Sequence, residues 1–286
     1  MRRAFRNGPL AWAWAATGVH AVLTLVSIGA FAVMIGRPVP GGVDAGEWAR
    51  SYQWGMAYMG ALVLVLGFLG AWLALWAAAG PIRATLGALL VTGFTLSIEL
   101  VGAATGLPFG AHSYGTALGW RVAGLVPFTI PLSWFMMLFA TLGIALRAGL
   151  RIRYTVLLAT VGLLAWDVLM EPAMSAAFPF WVWRESGIWH GMPLANWIAW
   201  AVIGPLIGLL LHRATRPHLP AIASTRLPEV IYVVNGALPL AMALRYELHG
   251  AAAVGGAAML AFLLLPARLK AFRRGRVLAQ AMPVGK

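Results

Sequence analysis

Residues 154–177 read YTVLLATVGLLAWDVLMEPAMSAA, an apolar run interrupted by only two charged side chains, Asp167 and Glu171. At 1.5 Å per residue this stretch is long enough to cross roughly 30 Å of hydrocarbon. A helix on a soluble domain would keep one polar face; this one is apolar nearly all round. It therefore predicts a membrane span. Working outward in both directions, the same reading gives spans at 10–35, 53–78, 82–103, 127–146, 193–211, 229–247 and 250–267, the last being the shortest. With 154–177 that makes eight, and the expected fold is an all-α polytopic membrane bundle forming a single domain over 1–286.

The composition agrees. Of 286 residues, 61% are hydrophobic and only 10% charged, too few to clothe a soluble surface. The net charge of +13 would suggest a nucleic-acid partner in a soluble protein. Here the basic residues fall in short gaps between apolar runs, which is an orientation signal. On one side of the eight-span layout lie Arg2, Arg3, Arg6, Arg83, Arg147, Arg151, Arg153, Arg213, Arg216, Arg226, Arg268, Lys270, Arg273, Arg274, Arg276 and Lys286, sixteen of the 21. The other side has Arg37, Arg50, Arg121, Arg184 and Arg245. This asymmetry predicts both termini on the cytoplasmic side of the cell membrane, a retained first helix and a basic cytoplasmic tail over 268–286. The chain has no cysteine, which excludes disulfides and thiolate metal sites. No repeat is visible. Gly204 and Gly208 form a small-xxx-small pair that predicts close helix packing.

With so few acids, their positions carry information. Counting 1.5 Å per residue from the inner ends of their helices, Asp167 lies roughly 20 Å up, and Glu99 and Glu171 roughly 26 Å up. All three fall in the outer half of the membrane. Asp167 and Glu171 are four apart and share a helix face. Two neighbouring carboxyls in an apolar setting do not both ionise cheaply, so one is expected to hold a proton beside the other. Pro172 lacks the N–H that would bond the Val168 carbonyl and so opens a polar backbone site next to the pair. The competing structural reading pairs these acids with Arg121 or Arg184 to fix helix packing.

The loops GLPFGAHSYGTALGWR (Gly106–Arg121) and FPFWVWRESGIWHGM (Phe178–Met192) are rich in glycine, proline and aromatics. They read as loops folded down onto the bundle. Eight of the fourteen tryptophans fall at Trp120, Trp134, Trp166, Trp181, Trp183, Trp189, Trp197 and Trp200. An interfacial belt accounts for some; those near the acids would steady a carbocation against their ring faces. The six histidines show no metal-binding spacing. His20 is alone in its span, whereas His112 and His190 lie in the outer loops near the acids. Asn196 either orients water or caps its helix.

The segments LPFGAHSYGTALGWRVAGLVPFTIPLSW (Leu107–Trp134), WDVLMEPAM (Trp166–Met174) and WVWRESGIWHGMPLANWIAW (Trp181–Trp200) together resemble the membrane carotenoid biosynthesis family that contains the carotenoid 1,2-hydratases. The resemblance centres on residues 99–211 and its ordered blocks cover about 100 residues. It departs from the family pattern at Glu171, where Asp is expected, at His112 and at Trp189–His190, where Tyr is usual, and at Ala199, where Gly is common. Glu for Asp keeps the carboxyl and moves it by about one methylene, so acid chemistry survives.

The resemblance implies addition of water across the terminal C1=C2 bond of an acyclic ψ-end of lycopene or γ-carotene type. It implies a lipophilic carotenoid, water and the bilayer as partners, with no nucleic acid, no cofactor and no metal. Asp167 and Glu171 are then the acid and acceptor pair, assisted by Glu99. His112, Tyr114 and Asn196 order water, and Trp134, Trp181 and Trp183 shield the cation. Two other functions fit the same acids: a carotenoid end-group cyclase, which quenches the cation by losing a proton, and a proton-coupled transporter, which needs a polar path to the inner face.

Overall fold

A computed structural model describes residues 2–35 and 44–281, with side chains described over 8–35 and 44–274. Arg37 and Lys286 lie outside the described residues, as do the side chains of Arg2, Arg3, Arg6 and Arg276.

Among the described residues eight helices are long and apolar enough to cross a membrane: Gly8–Val33, Ala45–Ala79, Pro81–Thr105, Thr129–Leu146, Ile152–Ala177, Leu194–Thr215, Leu227–Arg245 and His249–Arg274. The protein is a multi-pass, all-α membrane bundle. In finer detail the helices are α1 (Arg2–Val33), α2 (Ala45–Trp54), α3 (Gly60–Ala79), α4 (Pro81–Thr105), α5 (Thr129–Leu146), α6 (Ile152–Glu171), α7 (Leu194–Thr215), α8 (Leu227–Arg245) and α9 (His249–Ala281). A π-helical turn, Gly55–Met59, joins α2 to α3, and another, Pro172–Ala177, continues α6. The second span therefore begins earlier than hydropathy predicts, because α2 is an amphipathic lead-in whose Asp44 side chain caps the Glu47 N–H at 2.7 Å.

Burial separates the helices into two kinds. In their most apolar windows α5 is 83% buried and the α6 span 78%, against 22% for α1, so α5 and α6 form the axis that the others surround. Small residues set the spacing. Gly204 and Gly208 face α6, where an added Cβ would meet Thr160 Oγ1 at 2.7 Å and Val156 Cγ1 at 3.0 Å. Gly204→Leu is expected to force α6 and α7 apart at a cost of about 1–3 kcal/mol. A lowered unfolding temperature of the detergent-solubilised protein checks this.

At one end of the bundle the two long loops are joined as a ribbon. Strand β1 (His112–Tyr114) pairs antiparallel with β4 (Trp181–Trp183), aligning His112 with Trp183 and Tyr114 with Trp181. A smaller hairpin, β2 (Arg121–Val122) with β3 (Val126–Pro127), leads into α5. The loops do fold down onto the bundle, but as paired strands. Alternation along β1 and β4 sends His112, Tyr114, Trp181 and Trp183 inward while Ser113 and Val182 face out.

Candidate active site

Glu99, Asp167 and Glu171 are all buried, at 4%, 0% and 3% exposure. Glu99 comes from α4, one turn before Gly102. That glycine makes room for a loop residue, because a Cβ there would approach the Phe109 ring to 2.6 Å. Tyr114 Oη donates to Glu99 Oε2 at 2.8 Å, and Trp134 Nε1–H donates to Oε1 at 2.8 Å. Both oxygens of Glu99 are therefore engaged. Burial pushes the Tyr114 phenol well above its usual range, with the charge of Glu99 adding to the rise, so the hydroxyl persists as a donor.

Glu171 is held differently. Trp181 Nε1–H at 2.7 Å and Trp183 Nε1–H at 2.5 Å both donate to Oε1. Among the described residues Oε2 forms no hydrogen bond; the neighbouring donor is the Ser175 hydroxyl, which bonds the Glu171 main-chain carbonyl at 2.8 Å. The period-2 geometry of β4 explains why two tryptophans at positions i and i+2 converge on one oxygen. His112 donates from Nδ1 to the Gly110 carbonyl at 2.9 Å, which leaves Nε2 as the free ring nitrogen. Its ring stands edge-on to Tyr114, with centroids 5.2 Å apart, and 5.1 Å from Trp183.

Glu99, Glu171, His112, Tyr114, Trp134, Trp181, Trp183 and Asn196 all line one cavity of about 310 Å³. Its remaining wall is largely apolar and extends to Phe31 of α1, Met34 just beyond it, Tyr52 and Trp54 of α2, and Met137, Met170 and Met174. Asn196 donates from Nδ2 to Met192 Sδ at 3.0 Å and is not serving as a helix cap. Asp167 is absent from the wall. It sits behind Glu171, with neither oxygen hydrogen-bonded; the indole N–H of Trp197 is the neighbouring donor, outside bonding geometry. His190, also singled out by the sequence, is exposed at the tip of its loop.

The pairing of acids with Arg121 or Arg184 is not found. Among the described residues no Lys or Arg forms an ion pair with the three carboxyls. Arg121 donates instead to the Tyr114 carbonyl at 3.1 Å. The Val168 carbonyl freed by Pro172 is taken by Trp189, whose Nε1–H donates to it at 3.0 Å, so the polar backbone site serves to tie the loop to α6.

Sequence reasoning left several lining residues without a role. Trp200 packs on Trp134 with ring centroids 4.0 Å apart, and Trp166 lies 6.1 Å from Trp200, forming an aromatic floor beneath Glu99. Asn235, on α8, also reaches the wall. The signal for the tryptophans was their density; for Asn235, an amide inside an apolar span.

Bisanhydrobacterioruberin hydratase of Haloarcula japonica is 36% identical to this chain over 134 residues, covering 45% of this chain and 44% of the relative. The matched stretch is thus less than half the length of that protein. No solved structure matches the chain. The family described as carotenoid biosynthesis protein matches residues 59–262, a region that contains all three buried acids, both strands of the ribbon and most of the cavity wall. This chain belongs to the carotenoid biosynthesis protein family.

Proposed function

We propose that this protein is a carotenoid hydratase that adds water to the terminal C1=C2 bond of an acyclic ψ-end. The observation that carries the reading is the pair of buried carboxyls, Glu171 and Glu99, on the wall of an otherwise apolar cavity bedded with tryptophan. A volume of about 310 Å³ suits one end of a polyene, with the rest of the chain running out along α1 and α2 toward lipid. The hydratase name of the Haloarcula japonica relative points the same way.

Protonating an unactivated alkene requires an acid presented directly to carbon and a means of stabilising the cation that results. Glu171 accepts both indole N–H groups on one oxygen, which leaves Oε2 to carry the proton toward C2. The new C2–H bond forms from the alkene π pair, and positive charge develops at the tertiary C1. The Trp134–Trp200 stack and the Glu99 carboxylate stabilise that charge. Water then attacks C1 and gives up one proton to a carboxylate. The net change is the gain of one water, with no electrons gained or lost. Asp167, behind Glu171, acts as the group through which Glu171 is reprotonated.

In this reading His112, through Nε2, and Asn196 order the attacking water, and the site opens toward the extracytoplasmic half of the cell membrane. Heterologous expression in cells that accumulate lycopene is expected to yield a pigment heavier by one water or two, according to whether one or both ends react. Mass analysis of the extract checks it. A pigment of unchanged mass and shifted absorption would instead indicate cyclisation, and an unaltered pigment would remove the hydratase reading.

A further inference from the structure

His20 of α1 is wholly buried, and neither the fold nor the mechanism above explains it. Its Nδ1 lies 2.9 Å from the carbonyl of Val63 in α3. A carbonyl only accepts, so Nδ1 bears the hydrogen. On the far side of the ring, Nε2 is 3.2 Å from Asn235 Nδ2. The same amide nitrogen lies 2.8 Å from the Ile231 carbonyl. That second carbonyl also only accepts, which fixes the amide: its NH₂ points to Ile231 and His20, and Oδ1 points the other way.

Asn235 lines the cavity. Among the described residues no donor is bonded to its Oδ1. A hydrogen-bond acceptor without a protein partner, oriented by a relay through two neighbouring helices, is costly in an apolar cavity unless the occupant brings a donor. The packing is arranged to permit the relay. Gly67 of α3 leaves room for the ring, since a Cβ there would stand 3.1 Å from His20 Cε1 and collide with Met136 Sδ. The Asn235 main chain is pinned as well, its carbonyl accepting Trp166 Nε1–H at 3.0 Å. Trp166 is the residue before Asp167, so the subsite is tied to the helix that carries the proposed acid.

We propose that Asn235 Oδ1 is a hydroxyl-accepting subsite of the cavity, with His20 as its positioning residue. It takes an O–H donor, either the water that captures the cation or an alcohol carried by the polyene; the assignment rests on the hydratase reading above. The full chain in membranes is to be supplied with two substrates, lycopene and an acyclic polyene bearing an alcohol a few bonds from the reacting alkene. If the subsite holds water, Asn235→Leu lowers hydration of both by about tenfold or more, as loss of an orienting hydrogen bond predicts. Asn235→Gln, which keeps both the amide N–H groups and the acceptor, restores part of the loss. If the subsite holds the alcohol, only the alcohol-bearing substrate suffers in Asn235→Leu. Unchanged rates on both substrates overturn the proposal.

Should Asn235→Leu fail to accumulate in membranes, His20→Phe keeps the ring volume while releasing the amide, and the same two-substrate comparison decides. A parent protein that hydrates neither compound removes the hydratase reading alone. The subsite is then judged by retention of the two polyenes on the purified protein, and equal retention by parent and variants overturns it.

Discussion

Glu171→Gln is expected to leave the accumulated carotenoid unhydrated, with the 1-hydroxy product reduced by roughly 10²–10⁴-fold. Gln is nearly isosteric, and its carbonyl oxygen continues to accept from Trp181 and Trp183, so the ribbon stays docked on α6. What disappears is a proton acidic enough to add to carbon. Membrane levels of the variant should match the parent, which separates lost chemistry from lost folding, and pigment mass analysis reads the result. Asp167→Asn is the necessary comparison, because Asp167 lies off the cavity wall. Its effect should be milder, a slowing of turnover as reprotonation becomes limiting. If Asp167→Asn is as severe as Glu171→Gln, Asp167 is the donor.

Glu99→Gln is expected to reduce hydration by about 10²-fold or more, the usual scale for removing one preorganised electrostatic partner of a transition state. Its products should also differ from those of Glu171→Gln. The donor remains, so the alkene is still protonated, but the cation loses its counter-charge and is more often quenched by loss of a neighbouring proton. Double-bond isomers of unchanged mass should therefore rise relative to hydrate. Tyr114→Phe removes one donor to Glu99 and keeps the carboxyl, so it should cost far less. Chromatography of the pigment pool distinguishes isomers from hydrates; an isomer fraction that stays flat in Glu99→Gln would deny Glu99 this role.

The number of spans was legible in the sequence because hydrocarbon thickness imposes one length on every crossing, and apolar runs of that length are hard to mistake. The acids stood out for a related reason: ionisable groups are scarce where water is absent. Which acid faces the cavity was not legible. Asp167 and Glu171 share a helix face to within a fraction of a turn, and the choice between them is made by neighbours, with β4 meeting Glu171 and Trp197 lying by Asp167. The ribbon strands β1 and β4 were missed because each is only three residues long. Their alternation was nonetheless present in H-S-Y and W-V-W, each placing two ring-bearing side chains on one face. His20 and Asn235 are 215 positions apart, and no local pattern links them.

The ribbon of β1 and β4 has a consequence for how the protein comes into being. Its two strands belong to stretches of chain separated by two complete crossings, α5 and α6. While the nascent polypeptide is still being threaded into the bilayer, Glu99 meets Tyr114 and Trp134 15 and 35 positions later, and the first ribbon strand then waits through both crossings for Trp181 and Trp183, which follow Glu171 by 10 and 12 positions. A half-made chain therefore holds an acid with no roof over it and no closed chamber around it. In the hydratase reading, reactivity toward a polyene is acquired late in biogenesis, when the second hairpin arm arrives and is stitched to the first.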